Sequence, residues 1–278
     1  MQQFKLLNEI KVEVATSKDK SFDNVRKNMN RNYTFIHNMH AYSANKGNLP
    51  IALVGGGPSI KDHIEELKNF QGVIVACGSP HDWMISNGIF PHYTILCDPD
   101  PITANYLTNP QGTCIYLVAT QCDEVVFDKL KANAVYLWHC FNNDIEAFKE
   151  LDPNFQAIGG GCTVGMRALS IVLLMGYSNV HLFGFDSCLG DDDSHHAYGF
   201  STSVEELGTL YEVKLDPDCD KMYKAAGYQI AQVQDFKDMY MRYNNMFTPV
   251  FHGNGLLPDM MANINLEIAK QTKEMTNG

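Results

Sequence analysis

The chain has few basic residues for its length and no cluster of them. Its 278 residues include 21 Lys and Arg against 32 Asp and Glu, which gives a formal net charge of −11 at pH 7. Proteins that bind a nucleic-acid backbone non-specifically concentrate lysine and arginine on one surface. We therefore expect no nucleic-acid partner, although backbone amides can still create a local positive field for a nucleotide.

Long hydrophobic runs are also missing. The apolar stretches have the length of strands or are interrupted by polar residues, so none predicts a membrane-spanning helix. The N-terminal stretch MQQFKLLNEIKVEVATSKDK lacks the apolar core of a secretory signal. Eight cysteines are present without any CxxC pair, which disfavours a zinc ribbon or a thioredoxin-type site. We expect reduced thiols in a cytoplasmic protein.

From Pro50 onward, short apolar runs alternate with helical patterns. Strands are predicted near Ile51–Val54, Val73–Ala76, Tyr93–Leu96, Cys114–Val118, Ala134–Leu137, Val180–Phe183 and Pro249–His252. Helices are predicted near Ser59–Phe70, Pro80–Asn87, Asp123–Leu130, Thr163–Met175 and Lys221–Met246, and a polar loop over Asp191–Asp220. This alternation favours an α/β fold: a Rossmann-like, mostly parallel sheet with helices on both faces. Residues 1–48 are polar and predict an N-terminal helical extension to a domain over residues 49–278.

The first predicted strand leads directly into a run of glycines. It is followed by Gly55, Gly56, Gly57, Pro58 and Ser59. Without a Cβ, such a turn lets backbone N–H groups approach a phosphate at a helix N-terminus. The spacing is not the GxGxxG fingerprint of dinucleotide-binding folds, because Ile60 occupies the position of the last glycine. We therefore expect a nucleotide or another phosphorylated ligand; the alternative is a plain tight turn.

A second glycine segment, IGGGCTVGMRAL, precedes an apolar helix. Gly160, Gly161, Cys162 and Thr163 stand at the start of that helix. Thr163 can either cap the helix or hold a phosphate or a base. The alternative is a glycine loop that only connects two elements. Two such loops in one sheet favour a shared binding site.

Carboxylates follow the third predicted strand in the segment CDPDP. Asp98 and Asp100 could hold a ribose hydroxyl or bind Mg²⁺. Asp98 is the stronger candidate, because it lies nearer the end of the strand. The alternative is that both residues form turns or cap a helix.

The segment HLFGFDSCLGDDDSHHAYG combines a strand end with acid–base side chains. Asp186 ends the strand, and the pair His195 and His196 follows an acidic loop. Histidine titrates near neutrality and suits general acid–base catalysis. We expect Asp191–Asp193 either to raise the pKa of a neighbouring histidine or to bind a divalent metal with the two histidines. The alternatives are a solvated acidic loop and an Asp186 that caps it.

All of these motifs follow predicted strands. In an open parallel sheet, ligands bind beyond the carboxyl ends of the strands. The motifs therefore predict one crevice rather than several sites. His252, which ends the last predicted strand before a Gly-Asn-Gly turn, either reaches this crevice or has a structural role.

Together the motifs resemble a known family. GGGPS, CDPDP, GGGCTVGMRAL and GYSNVHLFGFDS, with SHHAY downstream, resemble the family of the archaeal 6-hydroxymethylpterin diphosphokinase. The same domain forms the core of the bacterial motility accessory factors, which are glycosyltransferases, and the chain looks closest to phage and prophage members. More distantly, it is similar to bacterial sialyltransferases. The resemblance covers about Pro50 to Met260.

The resemblance implies roles for individual residues in a nucleotide-binding transferase domain. Gly55–Ser59 would hold the donor phosphate, and Gly161, Cys162 and Thr163 would contact the nucleotide. Asp186 would stabilise the site. His195, or its neighbour His196, would be the general base.

Three functions follow from this resemblance. The leading one is a nucleotide-dependent transferase, a glycosyltransferase with a CMP- or NDP-sugar donor and an unidentified acceptor. The second is a Mg²⁺-dependent transfer of pyrophosphate from ATP to a hydroxymethylpterin-like substrate, with Asp98, Asp100 and Asp186 as metal ligands. The third is a non-catalytic nucleotide- or sugar-binding protein. We further expect a small-molecule substrate, no membrane partner and a possible homo-oligomer.

Overall fold

The structure is a computed structural model that describes residues 4–12, 18–39, 46–141, 145–152, 156–199 and 207–277. Its strands are β1 (Lys5–Leu6), β2 (Thr34–Phe35), β3 (Ile51–Val54), β4 (Val73–Cys77), β5 (Tyr93–Leu96), β6 (Ile115–Ala119), β7 (Ala134–Cys140), β8 (Ala157–Ile158), β9 (Asn179–Phe183), β10 (Leu210–Lys214), β11 (Tyr223–Ala226) and β12 (Thr248–His252). Its α-helices are α1 (Lys18–Met29), α2 (Ile64–Lys68), α3 (His81–Ser86), α4 (Glu124–Lys129), α5 (Ile145–Leu151), α6 (Val164–Leu174), α7 (Gly227–Tyr243) and α8 (Leu256–Asn277). Short 3₁₀ helices lie at Leu7–Glu9, Ile36–Asn38, Pro58–His63 and Pro101–Tyr106.

A nine-stranded sheet forms the centre of the molecule. Its strand order is β12-β9-β3-β4-β5-β6-β7-β2, with β8 also paired to β7. The pairings within it are parallel. The predicted α/β fold with a mostly parallel sheet is therefore confirmed.

Both faces of this sheet are covered. On β3, Ile51 and Leu53 pack into one hydrophobic core, which includes residues of α6 and α7. The alternate residues Ala52 and Val54 pack into a second core with Ile60. Side chains alternate across a strand, so a strand buried in two cores must have helices on both faces. This is why β3 reads as an unbroken apolar run.

The order of the strands reverses next to β3. From β3 the chain moves outward through β4, β5, β6 and β7, and then returns to place β9 on the other side of β3. Connections that leave two neighbouring strands in opposite directions open a crevice at their carboxyl ends. The Gly55 N–H donates to the carbonyl of Phe183 at 2.8 Å, which ties the ends of β3 and β9 together.

Three helix and loop predictions are wrong in their bounds. The predicted loop Asp191–Asp220 contains β10, and residues 200–206 lie outside the described residues. The predicted helix over Lys221–Met246 begins at Gly227, because β11 pairs antiparallel with β10 and the Gln229 side chain then accepts the Ala226 N–H at 2.9 Å. The helix predicted from Ser59 starts as the 3₁₀ helix Pro58–His63. Helix α8 was not predicted.

The N-terminal segment packs onto the main sheet. On α1, the Asn28 amide donates to the carbonyls of Thr120 and Cys122, and the Asn24 amide donates to that of Gln121. Strand β2 pairs with β7 at the edge of the sheet. These contacts fix α1 over the turn after β6. The division of the chain near residue 48 remains a prediction.

None of the helices among the described residues combines the length and hydrophobicity needed to cross a bilayer. The eight cysteines are all free thiols.

Candidate functional site

Two adjoining cavities lie beyond the carboxyl ends of the strands. The smaller, of about 130 Å³, is at the crevice between β3 and β9, and the larger, of about 860 Å³, extends past the ends of β5, β6 and β7. Both are lined by Ser79, Thr163, Val164, His195, His196 and Tyr228. The larger one has the size of typical cofactor and small-molecule sites.

The first glycine segment packs mainly against protein. The amide of Gly57 donates to the carbonyl of Gly184 at 2.9 Å, much as Gly55 donates to Phe183. A Cβ on Gly55 would lie 2.7 Å from the Gly184 carbonyl oxygen, which neither backbone could relieve. The amide of Gly56 has no acceptor among the described residues, and Gly56 lines the smaller cavity. Of the predicted cradle of amides, the Gly56 N–H therefore remains the best donor for a ligand.

Asp186 holds the first glycine segment in place through Ser59. Its carboxylate accepts hydrogen bonds from the Ser59 N–H, at 2.7 Å, and from the Ser59 hydroxyl. Burial raises the pKa of Asp186 to about 6, although both bonds from Ser59 act to lower it. The geometry gives Asp186 a positioning role, because its two oxygens hold Ser59 rather than a group in the cavities.

Ser187 is the most unusual residue of the smaller cavity. It is buried, yet its backbone adopts a left-handed conformation with φ of 55°. Its hydroxyl has no hydrogen-bond partner among the described residues, and it lines the cavity with Gly56 and His195. Backbone strain and unpaired buried polar groups concentrate at functional sites. Ser187 was not among the predicted site residues, because a single serine after a strand carries no distinctive signal.

His196 is fixed by the first glycine segment. Its Nδ1 lies 3.1 Å from the carbonyl oxygen of Gly56, and because a carbonyl only accepts, Nδ1 carries the proton. The ring stacks on Tyr198, with 5.2 Å between centroids, and the Tyr198 hydroxyl bonds to that of Ser79 at 2.6 Å. Burial, with a smaller effect from His195, lowers the pKa of His196 to about 3. His196 is therefore a neutral, rigidly held ring.

His195 lies beside it in both cavities. The two imidazole centroids are 3.9 Å apart, and burial lowers the pKa of His195. The prediction that the acidic loop raises a histidine pKa is therefore wrong. The Asp193 carboxylate pairs with Lys224 at 2.7 Å, and that of Asp192 accepts the Ser194 N–H at 3.0 Å. Among the described residues, the acidic loop is not part of a metal-ligand group either.

The second glycine segment uses its glycines differently. Gly160 and Gly161 have φ of +133° and +99°, which side chains rarely adopt. Thr163 caps α6, its hydroxyl accepting the Met166 N–H at 3.3 Å. The first residues of this eleven-residue helix line both cavities. The positive end of its dipole therefore faces the site and favours a bound anion.

The predicted metal ligands Asp98 and Asp100 do not converge with Asp186. Asp98 lines the larger cavity, and its carboxylate accepts the Asp100 N–H at 2.8 Å. Asp100 caps the 3₁₀ helix Pro101–Tyr106 by accepting the Ile102 N–H. The oxygens of Asp186 are bound by Ser59. These three carboxylates thus do not form a ready site for Mg²⁺, whereas Asp98 alone is placed to contact a ligand.

Several residues of the larger cavity were missed. They include Arg167, Tyr106, Gln121, Tyr228 and Asp235. Arg167 lies one turn after Thr163 on α6, so the i, i+4 spacing could have placed it on the same face. Tyr228 and Asp235 stand seven residues apart on α7, which also puts them on one face. The Asp235 carboxylate accepts the Cys162 N–H at 2.8 Å.

The predicted site residues line the smaller cavity, line the larger cavity or lie outside both. Gly55, Gly56, Gly57, Thr163, His195 and His196 line the smaller cavity, and Asp98, Gly161, Cys162 and Thr163 line the larger one. Pro58, Ser59, Asp186 and Gly160 shape the supporting loops, and Asp100 caps a helix. His252 lies outside both cavities, in contact with Glu66.

Comparison with known proteins identifies the family. Residues 22–192, more than half of the chain, match the family model described as 6-hydroxymethylpterin diphosphokinase MptE-like. The chain belongs to this family. The predicted family is therefore confirmed, whereas membership of a phage branch stays a prediction.

A solved structure shares the fold. The chain is similar to the MAf glycosyltransferase from Magnetospirillum magneticum AMB-1, with a TM-score of 0.65 and 18% sequence identity. The match covers 93% of this chain but 43% of that protein, so this chain spans less than half of its length. No curated protein matches.

Proposed function

We propose that this protein is a nucleotide-dependent glycosyltransferase that uses a nucleotide-activated sugar. The observation that carries the proposal is the convergence, on one small cavity, of the α6 N-terminus, Gly56, Ser187 and His195, where the Gly56 amide and the buried Ser187 hydroxyl have no partner among the described residues. Three of these favour an anion, and the fourth can accept a proton. The name of the structural neighbour supports glycosyl transfer, and the family match supports a nucleotide-using transferase more generally.

In this proposal the donor phosphates lie in the smaller cavity. The Ser187 hydroxyl and the Gly56 N–H donate to them, and the dipole of α6 stabilises the charge on the leaving phosphate. The nucleoside extends into the larger cavity. There Asp98 can accept from a ribose hydroxyl, and the aromatic rings of Tyr106 and Tyr228 offer apolar surface to a base.

His195 is the proposed general base. A base is most effective when its pKa is near the working pH. The pKa of His196, at about 3, is too low for this role, and its ring is held by Gly56. His195 is in contact with His196 and lines both cavities, so it can accept the proton of an acceptor hydroxyl. We assign His196 and Asp186 to positioning.

A diphosphokinase is the second candidate, because the family description names that activity. Asp98, Asp100 and Asp186 do not form a grouped metal site, so no step is assigned to a metal here. A non-catalytic nucleotide-binding protein would use the same cavities without turnover.

A ligand screen tests the binding part of the proposal. Melting temperatures would be measured with CMP, CDP, UDP, GDP and ATP, each with and without Mg²⁺, because a ligand of the folded state raises the melting temperature. We expect a metal-independent shift with a sugar-carrier nucleotide. For that nucleotide, Ser187→Ala should lower affinity roughly tenfold, as expected for a lost bond to a charged group.

Ser194→Ala is the matched control, because Ser194 is a serine of the same segment after β9 but does not line the two cavities. Its affinity should equal that of the wild type. A shift seen only with ATP and Mg²⁺ would favour the diphosphokinase. No shift with any nucleotide would contradict both enzymatic candidates.

A turnover assay tests the role of His195 as the general base. With the donor sugar of the identified nucleotide, His195→Gln should reduce donor consumption roughly 10²- to 10⁴-fold. Equal turnover in wild type and His195→Gln would contradict the role of His195. Binding without any turnover would favour the non-catalytic alternative.

A further inference from the structure

A second group of histidines surrounds a carboxylate outside the two cavities. His63 Nδ1 lies 2.8 Å from one oxygen of Glu66, and His252 Nδ1 lies 2.8 Å from the other. The ligand atoms of these three residues all lie within 4.8 Å of one another. They form the one group of three or more His, Cys, Asp or Glu in the described part of the chain that could hold a metal. We call it the His63–Glu66–His252 cluster.

The ring of His252 is held in a defined orientation. It stacks on Phe183, with centroids 4.0 Å apart and planes at 12°. Its Nε2 lies 2.8 Å from Nδ1 of His181 on β9. Histidines that bind metals use the far ring nitrogen to bond a neighbouring group in this way, which fixes both tautomer and direction. His181 Nδ1 is thus placed to accept a hydrogen bond from the Nε2–H of His252 when the Nδ1 of His252 faces a cation.

Two imidazoles and one carboxylate form a ligand set that zinc uses, with water in the remaining position. We propose that the His63–Glu66–His252 cluster is a binding site for Zn²⁺. Tetrahedral ligands with bonds of about 2.0 Å stand roughly 3.3 Å apart, and the ligand atoms here all lie within 4.8 Å of one another, so a small movement of the side chains would complete the site. The Glu66 side chain is 45% exposed and has room to move.

Such a site would join three segments that support the first glycine segment. His63 ends the 3₁₀ helix that follows it, Glu66 lies on α2, and His252 ends β12. The next residue, Gly253, packs so closely that a Cβ there would lie 2.3 Å from the Ser59 hydroxyl. Zinc would therefore stabilise the base of the first glycine segment without entering either cavity.

The test is titration of the metal-free protein with ZnCl₂, followed by calorimetry. We expect one equivalent to bind the wild type and to raise its melting temperature. Glu66→Gln should weaken binding at least tenfold and abolish the shift. Glu65→Gln is the matched control: it lies on the same helix, its side chain is 78% exposed, and it pairs with Lys68. Its affinity should stay within about twofold of the wild type, since surface changes have small effects.

Failure of the wild type to bind zinc, or equal affinities of Glu66→Gln and wild type, would overturn the proposal. If Glu66→Gln does not fold in the metal-free state, His63→Gln provides the same comparison, because the His63 side chain is 22% exposed. The outcome is independent of the nucleotide screen.

Discussion

The two glycine segments look alike in the sequence, and the fold uses them for different purposes. Gly55 and Gly57 bring the end of β3 against the end of β9, where a Cβ would meet the Gly184 carbonyl within 2.7 Å. Gly160 and Gly161 instead adopt positive φ, which lets the chain turn into α6. Glycine is required for close packing in the first segment and for an unusual backbone conformation in the second.

This difference changes which segment offers charge to a ligand. The first segment donates most of its amides to protein and leads into a 3₁₀ helix with a five-residue α2 behind it. The second leads into an eleven-residue α-helix whose N-terminus faces both cavities. As sources of charge for a ligand, the two segments differ in the length and position of the helix that follows. The glycines themselves predict neither property.

The largest expected effect is that of Gly55→Ala. Its new Cβ would overlap the Gly184 carbonyl, and we expect a loss of about 3 kcal/mol in the free energy of unfolding, measured with urea. Gly112→Ala is the control, because a Cβ at Gly112 meets nothing within 4 Å. The free energy of unfolding of this control should stay within about 0.5 kcal/mol of the wild-type value. If Gly55→Ala unfolds like the wild type, the packing role of the first segment is wrong.

The next largest effect concerns His196, which the first segment holds. Its folded pKa of about 3 lies below the ordinary value of 6.5, so its contribution to stability is complete above pH 6.5 and is lost as pH falls towards 3. From pH 7.5 to pH 5, the wild type should lose about 2 kcal/mol through this residue. His196→Gln keeps a donor for the Gly56 carbonyl and removes the titrating ring. Between the two pH values, the free energy of unfolding of this variant should therefore fall by about 2 kcal/mol less than that of the wild type.

Urea unfolding of both proteins at the two pH values gives this difference. The contribution of Asp186 to stability depends on pH in the opposite direction. Its folded pKa of about 6 exceeds 3.8, so this contribution is present below pH 3.8 and is lost as pH rises through 6. Because wild type and variant share Asp186, its contribution cancels in the difference. Identical acid sensitivity of the two proteins would refute the buried, neutral state of His196.

The smallest effect belongs to the cap of the second segment. Thr163→Ala removes the acceptor for the Met166 N–H and should lower the free energy of unfolding by about 1 kcal/mol. Thr163→Ser keeps the hydroxyl and should remain within a few tenths of the wild type. If the alanine variant is as stable as the serine variant, Thr163 does not act as a cap.

Sequence patterns located seven strands of the main sheet because its central strands are buried on both faces, whereas the two-residue strands β2 and β8 were not predicted. The run Ile51–Val54 is apolar at every position, and such runs have few alternatives to a central parallel strand. The bounds of α7 were wrong because Tyr223–Ala226 has residues that suit a helix or a strand equally, and only pairing with Leu210–Lys214 decides. The histidine pKa shifts were predicted in the wrong direction for a related reason, since burial depends on segments far apart in the chain.

By itself, the sequence determined the family, the α/β class and the position of the candidate site residues after the strands, because local periodicity and short motifs encode these. Only the tertiary structure decided which groups face the cavities. It turned Ser59 and Asp186 towards each other, placed Ser187 at the smaller cavity with its hydroxyl buried, and brought His63 and Glu66 together with the distant His252. Such contacts follow from strand order, because β9 pairs with β3, and β12 with β9, only after the chain reverses direction across the sheet.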